Sequence, residues 1–327
     1  MLVWLEFAGV SALILFSGSK LTRYGNIISE KTGLSGLWLG TVLMAGVTSL
    51  PELSTGLSAV AHDLPDIAVG NVLGSCTFNV LLLGVLDTLS RKVPLSSRIN
   101  QGNILSAGLS ILFLGGVAAS LVLGSQLPGL GWIGLVTPLI VAGYFLTMRM
   151  TFKFEKRRAG SKAAAAGASP LSLGAAILRY AVHAAVVVGA AIFLPDIAER
   201  IATATGLGET FVGNIFTGIA TSLPELTVSV SALRLGAVDM AVGNIFGSNL
   251  FNILILAIQD LLYVKGPILA AVQAHHVVPA ITAMAMTGLA VAGLIYNAER
   301  KLFIWAWDSF GVILVFAANL ALLLLLR

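Results

Sequence analysis

Ten long apolar stretches, separated by short polar segments, limit the fold of this chain more than any other feature of its sequence. They lie near residues 3–22, 35–60, 66–89, 101–122, 130–149, 173–195, 208–233, 239–263, 270–296 and 303–326. A helix of about 20 apolar residues is long enough to cross a bilayer. Charged residues make up only 10% of the chain, whereas soluble globular proteins contain roughly 25%. The pattern therefore predicts an all-α polytopic membrane protein with ten transmembrane helices, and it excludes a soluble enzyme.

The longest polar break divides the chain into two halves of five predicted helices. We predict a first repeat over residues 1–149, a cytoplasmic basic linker over 150–172 and a second repeat over 173–327. A basic linker is what the positive-inside rule expects of a cytoplasmic loop, and contact with anionic lipids is the alternative. With the linker inside, only Arg200, Lys265 and Arg327 of the 19 basic residues lie outside, which leaves 16 inside. This asymmetry predicts a multi-pass protein of the cell inner membrane with both termini outside.

The two halves repeat one another in sequence at a constant spacing of 173 positions. Between residues 32–81 and 205–254, 22 of 50 positions are identical, and Thr48–Leu53 and Thr221–Leu226 both read Thr-Ser-Leu-Pro-Glu-Leu. Because five is an odd number, the second half enters the membrane in the opposite sense. Such inverted-topology repeats are typical of secondary transporters, which have broken helices and bind their substrates near the membrane midplane.

The repeated glutamates, Glu52 and Glu225, are predicted to lie in the middle of their transmembrane segments. A carboxylate at that depth costs at least ~2.5–3.5 kcal/mol on insertion scales, so it normally faces the protein interior and is paired. The sequence places no lysine or arginine at a comparable depth in a neighbouring core helix. We interpret the partner as a bound metal ion or a proton.

A proline precedes each glutamate, and the two prolines, Pro51 and Pro224, predict breaks in the helices. Proline removes the hydrogen bond to the carbonyl four residues earlier. The carbonyls that are freed lie in the same turn as the hydroxyls of Thr48, Ser49, Thr221 and Ser222. Carboxylate, hydroxyl and carbonyl oxygens together are the ligands that hard cations such as Ca²⁺ prefer.

The next helix in each repeat has a polar stripe with a spacing of four residues. The stripe is Asn71, Ser75 and Asn79 in the first repeat, and Asn244, Ser248 and Asn252 in the second. Each stripe lies beside a pair of glycines, Gly70 with Gly74 and Gly243 with Gly247. Such pairs of small residues let helices approach closely.

Other polar residues in the apolar regions have simpler interpretations. Asp66 and Asp239 begin helices and are predicted to be N-caps. Asp87 and Asp260 lie near helix ends and are predicted to be at the membrane interface. The same prediction applies to His276, near the start of an outer helix.

The pair of segments Thr48–Asn79 and Thr221–Asn252 resembles the two α-repeats of the Ca²⁺/cation antiporter superfamily, and the prokaryotic Na⁺/Ca²⁺ exchanger branch in particular. The resemblance implies that Glu52 and Glu225 are the central Ca²⁺ ligands, on helices broken at the prolines. It further implies that hydroxyls, side-chain amides and two backbone carbonyls complete the Ca²⁺ and Na⁺ sites. These additional ligands would be Thr48, Ser49, Thr221, Ser222, Ser75, Asn79, Ser248 and Asn252, with the carbonyls near Ala45 and Gly218.

The sequence departs from this family's pattern at Val47 and Ala220, where a glycine usually precedes Thr-Ser, and at the last position of the two stripes. Exchangers of this branch often pair an asparagine in one repeat with an aspartate in the other, whereas both positions, Asn79 and Asn252, are asparagine here. Two glutamates are balanced by one Ca²⁺, by two Na⁺ or by two protons. The sequence leaves the last two alternatives open.

The resulting prediction is an antiporter that exchanges Ca²⁺ for Na⁺ by alternating access and needs no cofactor. Ca²⁺/H⁺ exchange is the first alternative, and a cation channel is the second. Both copies of the motif lie in one chain, whereas channel filters are usually rings from several subunits; a monomer is compatible with this arrangement. An enzyme is not predicted, because zinc-protease and serine-hydrolase motifs are absent from the sequence. The expected partners are the transported cations and the lipid bilayer, not nucleic acid.

Overall fold

A computed structural model of the chain describes residues 2–90, 93–159, 169–205, 221–297, 300–301 and 304–325. It is mostly helical, at 84%. The helices are α1 Leu2–Thr32, α2 Gly36–Thr48, α3 Leu50–Ala61, α4 Pro65–Leu89, α5 Gly102–Leu123, α6 Val136–Ala159, α7 Leu173–Ala191, α8 Leu194–Thr205, α9 Leu223–Arg234, α10 Val238–Leu262, α11 Ile268–Ala271, α12 Val277–Tyr296 and α13 Trp307–Leu325. Two short antiparallel strands, β1 Gly129–Leu130 and β2 Ile133–Gly134, precede α6.

Local signals in the sequence explain several of these boundaries. Gly33 follows α1 with φ +72°, a left-handed conformation that suits glycine and ends a helix. Ser35 then caps α2 by accepting a hydrogen bond from the Trp38 N–H at 3.1 Å. Pro65 opens α4, where its missing N–H costs no helical hydrogen bond.

Seven helical segments of the described chain are long and apolar enough to cross a membrane, and α2 with α3 forms an eighth as a bent pair. Two further predicted helices are not among these eight. One is α6, whose basic C-terminal part lowers its hydropathy. The other, predicted over 208–233, lies partly outside the described residues, because the structure describes nothing between 206 and 220. The prediction of a multi-pass helical membrane protein is therefore confirmed, and the count of ten helices stays a prediction.

Several helix ends differ from the predicted ones. Helix α1 continues to Thr32 and α6 to Ala159, beyond the predicted ends at 22 and 149. Lysine and arginine have good helix propensity and extend their charges away from apolar surroundings, so a basic segment does not stop a helix. Helix α6 also begins six residues later than predicted, because the hairpin of β1 and β2 occupies 129–134.

The chain forms two compact units, and each takes segments from both halves of the sequence. The first consists of Met1–Pro51, Ile99–Asn103 and Met148–Ser248, and the second of Glu52–Arg98, Ile104–Thr147 and Asn249–Arg327. In the first unit, α1 packs along α7, α8 and α9. In the second unit, α4, α12 and α13 pack against one another.

The repeated aspartates anchor chain segments, and this anchoring is itself repeated. Asp87 accepts a hydrogen bond from the Leu95 N–H at 2.8 Å, and Asp260 accepts one from the Ile268 N–H at 2.7 Å. All four positions obey the spacing of 173 residues. The Asp87 carboxylate is fully buried and also pairs with Lys301 at 3.2 Å. The position of an aspartate near a helix end did not indicate this role.

The N-cap prediction for Asp66 and Asp239 is wrong. Leu64 precedes α4 as its cap residue, and Asp66 instead accepts hydrogen bonds from the Gln273 N–H and from His276, both at 2.9 Å. Asp239 accepts a hydrogen bond from the Asn100 N–H at 2.6 Å. Both aspartates lie inside the first helical turn, where a carboxylate is stabilised by the helix dipole and its oxygens remain available to other segments.

Candidate ion-binding site

The helix break predicted at Pro51 is present, and it is centred on Ser49, two residues before the proline; the segment 206–220, which precedes the equivalent position Ser222, lies outside the described residues. Ser49 separates α2 from α3 with φ −92° and ψ 7°, and Ser222 precedes α9 with φ −86° and ψ 9°. The two helices flanking Ser49 are bent by 41°. Pro51 and Pro224 then occupy the first turn of the next helix, where proline is well tolerated.

The two glutamates were predicted in the middle of their transmembrane segments, and the structure places each at the start of a helix instead. Glu52 and Glu225 lie in the first turn of α3 and α9, and not in the middle of an unbroken helix. Both side chains are fully buried. Because the N-terminus of a helix has a partial positive charge, it stabilises an ionised carboxylate at this position. Each half of the sequence therefore supplies one buried carboxylate at a helix start.

In the first unit, polar side chains of α2, α9 and α10, with Ser49 between α2 and α3, form a group of hydrogen-bonded contacts that includes Glu225. The Ser49 hydroxyl donates to Glu225 Oε1 at 3.1 Å. Thr48 Oγ1 lies 3.4 Å from Asn244 Oδ1 and 3.3 Å from Ser248 Oγ. The amide of Asn244 in turn donates to Ser229 Oγ at 3.1 Å. We call these six residues the Glu225 cluster: Thr48, Ser49, Glu225, Ser229, Asn244 and Ser248. All of them are fully buried.

In the second unit, four of the predicted ligands are buried, and we refer to them together as the Glu52 cluster: Glu52, Ser75, Asn79 and Asn252. The Ser75 hydroxyl donates to Glu52 Oε1 at 3.3 Å. Asn79 and Asn252 are at most 1% exposed. Within the described part of the chain, neither amide atom of Asn79 has a hydrogen-bond partner. A buried amide in this state is suited to a ligand, because an unpaired buried polar group costs free energy.

Glycines of α10 permit the close approach that places Thr48 against the polar stripe. A Cβ at Gly243 would lie 2.8 Å from the Leu37 carbonyl oxygen, and one at Gly247 would overlap the backbone of Thr41. The predicted close approach at Gly243 and Gly247 is confirmed. In the first repeat it does not hold at Gly74, which has open space around it.

The remaining predicted ligands are two side chains, Thr221 and Ser222, and two backbone carbonyls, those of Ala45 and Gly218. Thr221 and Ser222 are fully buried next to Glu225 in sequence. The Ala45 carbonyl accepts hydrogen bonds from the Ser49 N–H at 3.0 Å and the Thr48 hydroxyl at 3.4 Å, so a cation there would replace one of these donors. Gly218 lies outside the described residues.

Sequence reasoning missed two members of the Glu225 cluster and one feature of α2. Asn244 begins the predicted stripe but was not included among the ligands, and Ser229 was not considered. Ser229 lies four residues after Glu225, on the same helix face, and that spacing could have identified it. The π-helical turn Leu39–Met44 within α2 has no signal in the sequence, although such turns are frequent at functional sites.

The chemistry of both clusters is that of oxygen ligands. In the described ranges, no three His, Cys, Asp or Glu side chains come together as a metal-binding group. Each cluster instead combines one carboxylate with hydroxyl and amide oxygens. This donor set suits hard cations such as Ca²⁺, and it does not suit soft metals that require thiolate or imidazole.

Comparison with known families agrees with this chemistry. The family model described as sodium/calcium exchanger protein matches residues 2–152 and 175–325, which together are most of the chain. The chain belongs to the sodium/calcium exchanger family. The predicted membership of the Ca²⁺/cation antiporter superfamily is thus confirmed, and the protein is a transporter and not an enzyme. The two matched segments begin 173 residues apart, which is the spacing of the internal repeat.

Individual exchanger-family relatives cover most of the chain. Inner membrane protein YrbG of Escherichia coli K12 is 30% identical over 269 residues, which is 78% of each chain. The sodium/calcium exchanger MaX1 of Methanosarcina acetivorans is 27% identical over 286 residues, 77% of this chain and 81% of its own. A solved structure of the sodium-calcium exchanger NCX_Mj superposes with a TM-score of 0.75 at 22% identity over 98% of both chains. The fold is therefore that of NCX_Mj.

Proposed function

We propose that this protein is a secondary antiporter that exchanges Ca²⁺ for Na⁺ by alternating access. Membership of the sodium/calcium exchanger family supports antiport of Ca²⁺ and another cation. In the proposal, Glu52 and Glu225 are ligands of the transported ions, and the other predicted ligands supply neutral oxygens around them. The protein is a multi-pass protein of the cell inner membrane, with ten helices in two inverted repeats, a cytoplasmic linker and both termini outside.

The duplicated arrangement of a carboxylate at a helix start with a serine hydroxyl is the observation that best supports this proposal. In each half, a buried glutamate in the first turn of a helix, α3 or α9, accepts a hydrogen bond from a buried serine. Broken helices with ion-binding residues at the break are the common construction of secondary transporters with inverted repeats. A carboxylate that is dehydrated in this way gains most from a cation, because the attraction between charges increases as the local dielectric decreases.

Ca²⁺ flux into proteoliposomes tests the proposal and separates the two counter-ions. Vesicles loaded with Na⁺ should take up Ca²⁺ when diluted into Na⁺-free buffer. Vesicles with only an outward proton gradient should take up little. Uptake driven by the proton gradient and not by Na⁺ would establish Ca²⁺/H⁺ exchange. A flux that does not saturate as the Ca²⁺ concentration rises would indicate a channel. Glu225→Gln should remove the flux, while Glu199→Gln, at an exposed position of α8, is the matched control.

A further inference from the structure

Two stripes of aromatic and basic side chains meet where α1 packs along α7. On α1 the stripe is Phe16, Lys20 and Tyr24, spaced by four residues, and on α7 it is Arg179 and His183 with the same spacing. Residues four apart lie on one face of a helix. The Tyr24 ring stacks on the His183 ring with centroids 5.7 Å apart, and the Phe16 ring meets His183 edge-on at 6.1 Å. We call these five residues the α1–α7 seam.

The two cationic groups of the seam lie over aromatic rings. Lys20 Nζ is 5.5 Å from the centroid of Phe16, and Arg179 Cζ is 5.8 Å from the centroid of Tyr24. Such cation–π contacts hold a charged group in place but use none of its N–H donors. Across the described ranges, neither cation has an ion pair or a hydrogen bond, and the buried Nδ1 atom of His183 has no hydrogen-bond partner.

The acidic side chains of the same two helices do not balance this positive charge. Helix α7 contains no aspartate or glutamate, and α1 contains only Glu6 and Glu30. Glu6 pairs with Arg200, and Glu30 accepts a hydrogen bond from Asn26 at 2.7 Å. The seam is therefore complementary to an anion that comes from outside these two helices.

The position of the seam along α1 matches the boundary between acyl chains and head groups. The partly exposed ion pair of Glu6 and Arg200 lies near the other end of α1. Tyr24 follows Glu6 by 18 residues, which is about 27 Å of helix, and the hydrocarbon core of a bilayer is about 30 Å thick. With the ion pair at one face of the membrane, the seam lies close to the opposite face, where tyrosine is enriched. In the predicted orientation, that face is cytoplasmic.

Exposed apolar side chains adjoin the basic groups of the seam. Phe16, Leu178 and Val182 are each more than half exposed. A surface with cations at head-group depth and apolar side chains beside them matches the two parts of a phospholipid, its phosphate and its acyl chains. Basic pockets between transmembrane helices on the cytoplasmic side bind anionic head groups in this way.

We infer that the α1–α7 seam binds an anionic phospholipid of the cytoplasmic leaflet. The guanidinium of Arg179 binds the phosphate through its planar set of N–H donors, and the Lys20 ammonium adds a second positive charge. The acyl chains lie on the exposed apolar side chains next to the seam. The bound lipid would contact both helices and hold their ends together. This inference goes beyond the proposed function and does not depend on which ions are exchanged.

Stabilisation of the purified protein by defined lipids tests the inference without transport. The midpoint of thermal unfolding in detergent is measured against dioleoylphosphatidylglycerol, with dioleoylphosphatidylcholine as the neutral lipid and inorganic phosphate as the free anion. Only phosphatidylglycerol should raise the midpoint. Lys20→Gln and Arg179→Gln should each raise the lipid concentration needed for half of the shift about fivefold, and the double variant should raise it more than about tenfold, because each basic residue near an anionic head group adds to the attraction.

Arg179→Lys keeps the charge and should retain most of the response. The matched control is the double variant Lys153→Gln with Lys156→Gln, which removes two exposed cations of α6 in the basic linker. It should leave the response within about twofold, because exposed charges far from the bound head group are screened. An unchanged response in the double seam variant, an equal loss in the α6 control, or an equal shift with inorganic phosphate would overturn the inference. If the double seam variant does not fold, the two single variants give the same comparison. Failure of Na⁺-driven Ca²⁺ flux would refute the proposed function and leave this binding measurement unaffected.

Discussion

At the scale of single residues, the two glutamates differ in their partners from Asp87, another fully buried carboxylate. Asp87 is equally buried, but it pairs with Lys301 and accepts backbone N–H groups, as a structural carboxylate does. Glu52 and Glu225 instead accept hydrogen bonds from serine hydroxyls. A hydroxyl can rotate to present its oxygen to a cation, whereas a backbone N–H cannot. We propose on this basis that Glu52 and Glu225, and not Asp87, are ligands of the transported ions.

The first prediction concerns these carboxylates. Glu52→Gln and Glu225→Gln should each abolish Ca²⁺ binding, because each change replaces a buried carboxylate among the proposed ligands with a neutral amide. Removing one charge of a buried pair costs roughly 3–5 kcal/mol, or more than about 100-fold in affinity. Calorimetric titration of the purified variants with Ca²⁺ measures the loss. Binding within tenfold of the unmodified protein in either variant would refute the assignment.

The sequence predicted most of this site because the repeat duplicates its chemistry. Two copies of Thr-Ser-Leu-Pro-Glu-Leu identified the glutamates, the hydroxyls and the breaks. The comparison of the two copies did not identify Ser229, because the equivalent position in the other repeat is Gly56. A feature present in one copy leaves no trace in a comparison between copies. The partners of Asp66 and Asp239 were missed for a different reason, since they come from segments distant in sequence.

At the scale of helices, the break at Ser49 determines where Glu52 points. Proline at the second residue of α3 has no N–H to bond to a carbonyl of α2, so the helix cannot continue through it. The N-terminus of α3 stabilises the carboxylate of Glu52. The turn before α3 places Thr48 and Ser49 beside α9 and α10. A sequence pattern predicts such a break, but it does not predict the residue at which the backbone turns.

A second prediction follows from this break. Pro51→Ala restores an N–H and a residue with high helix propensity, so α2 and α3 should join and the Ca²⁺ flux should decrease at least about tenfold. The cause is the energetic gain of roughly 3 kcal/mol for alanine over proline inside a helix. Pro65→Ala is the matched control, because three non-helical residues, 62–64, separate Pro65 from α3 and alanine there should not join two helices. Flux in proteoliposomes, with thermal unfolding to confirm folding, compares the two.

A third prediction concerns the anchoring of α4 to the end of the chain. Asp87→Ala leaves the nearly buried Lys301 ammonium without its carboxylate and two backbone N–H groups without their acceptor. The expected loss of stability is about 3–5 kcal/mol. Lys265→Met breaks a pair with Asp63 that is exposed on both sides and screened by water, so it should cost much less stability than Asp87→Ala. Denaturant unfolding in mixed micelles measures both, and equal effects would contradict the structural role of Asp87.

At the scale of the whole molecule, composition and charge distribution predicted the class of protein, and the helix ends were the least accurate part. Long apolar stretches predicted most spans to within a few residues, as in α4 and α10. Helix α6 was placed too early because a turn and a span can both be apolar, and only tertiary contacts separate them. The division into two compact units was not predicted, because each unit combines segments from both halves.

A fourth prediction tests the orientation in the membrane. Helix α6 has 24 residues, so at 1.5 Å per residue it is about 36 Å long and can span the bilayer. In a Cys76→Ala background, a cysteine at Lys156 should react with impermeant thiol reagents only from the cytoplasmic face. One at Leu130, on the exposed hairpin before α6, should react only from outside. Labelling of both positions from the same face would contradict the five-plus-five arrangement.

The last prediction concerns the net charge moved in one transport cycle, which depends on the carboxylates among all the proposed ligands. Asn79 and Asn252 both offer amide oxygen without charge, so the ligand set has a formal charge of −2 when both glutamates are ionised. One Ca²⁺ or two Na⁺ match that charge, whereas a third Na⁺ would be held by dipoles alone. We therefore expect exchange of one Ca²⁺ for two monovalent ions, with Ca²⁺ flux nearly independent of a K⁺/valinomycin potential. Asn252→Asp should make the flux voltage-dependent, provided that the new carboxylate is ionised; Asn252→Ala should not. Strong voltage dependence of the unmodified protein, with a fitted ratio of three Na⁺ to one Ca²⁺, would show that neutral oxygens alone hold the third ion.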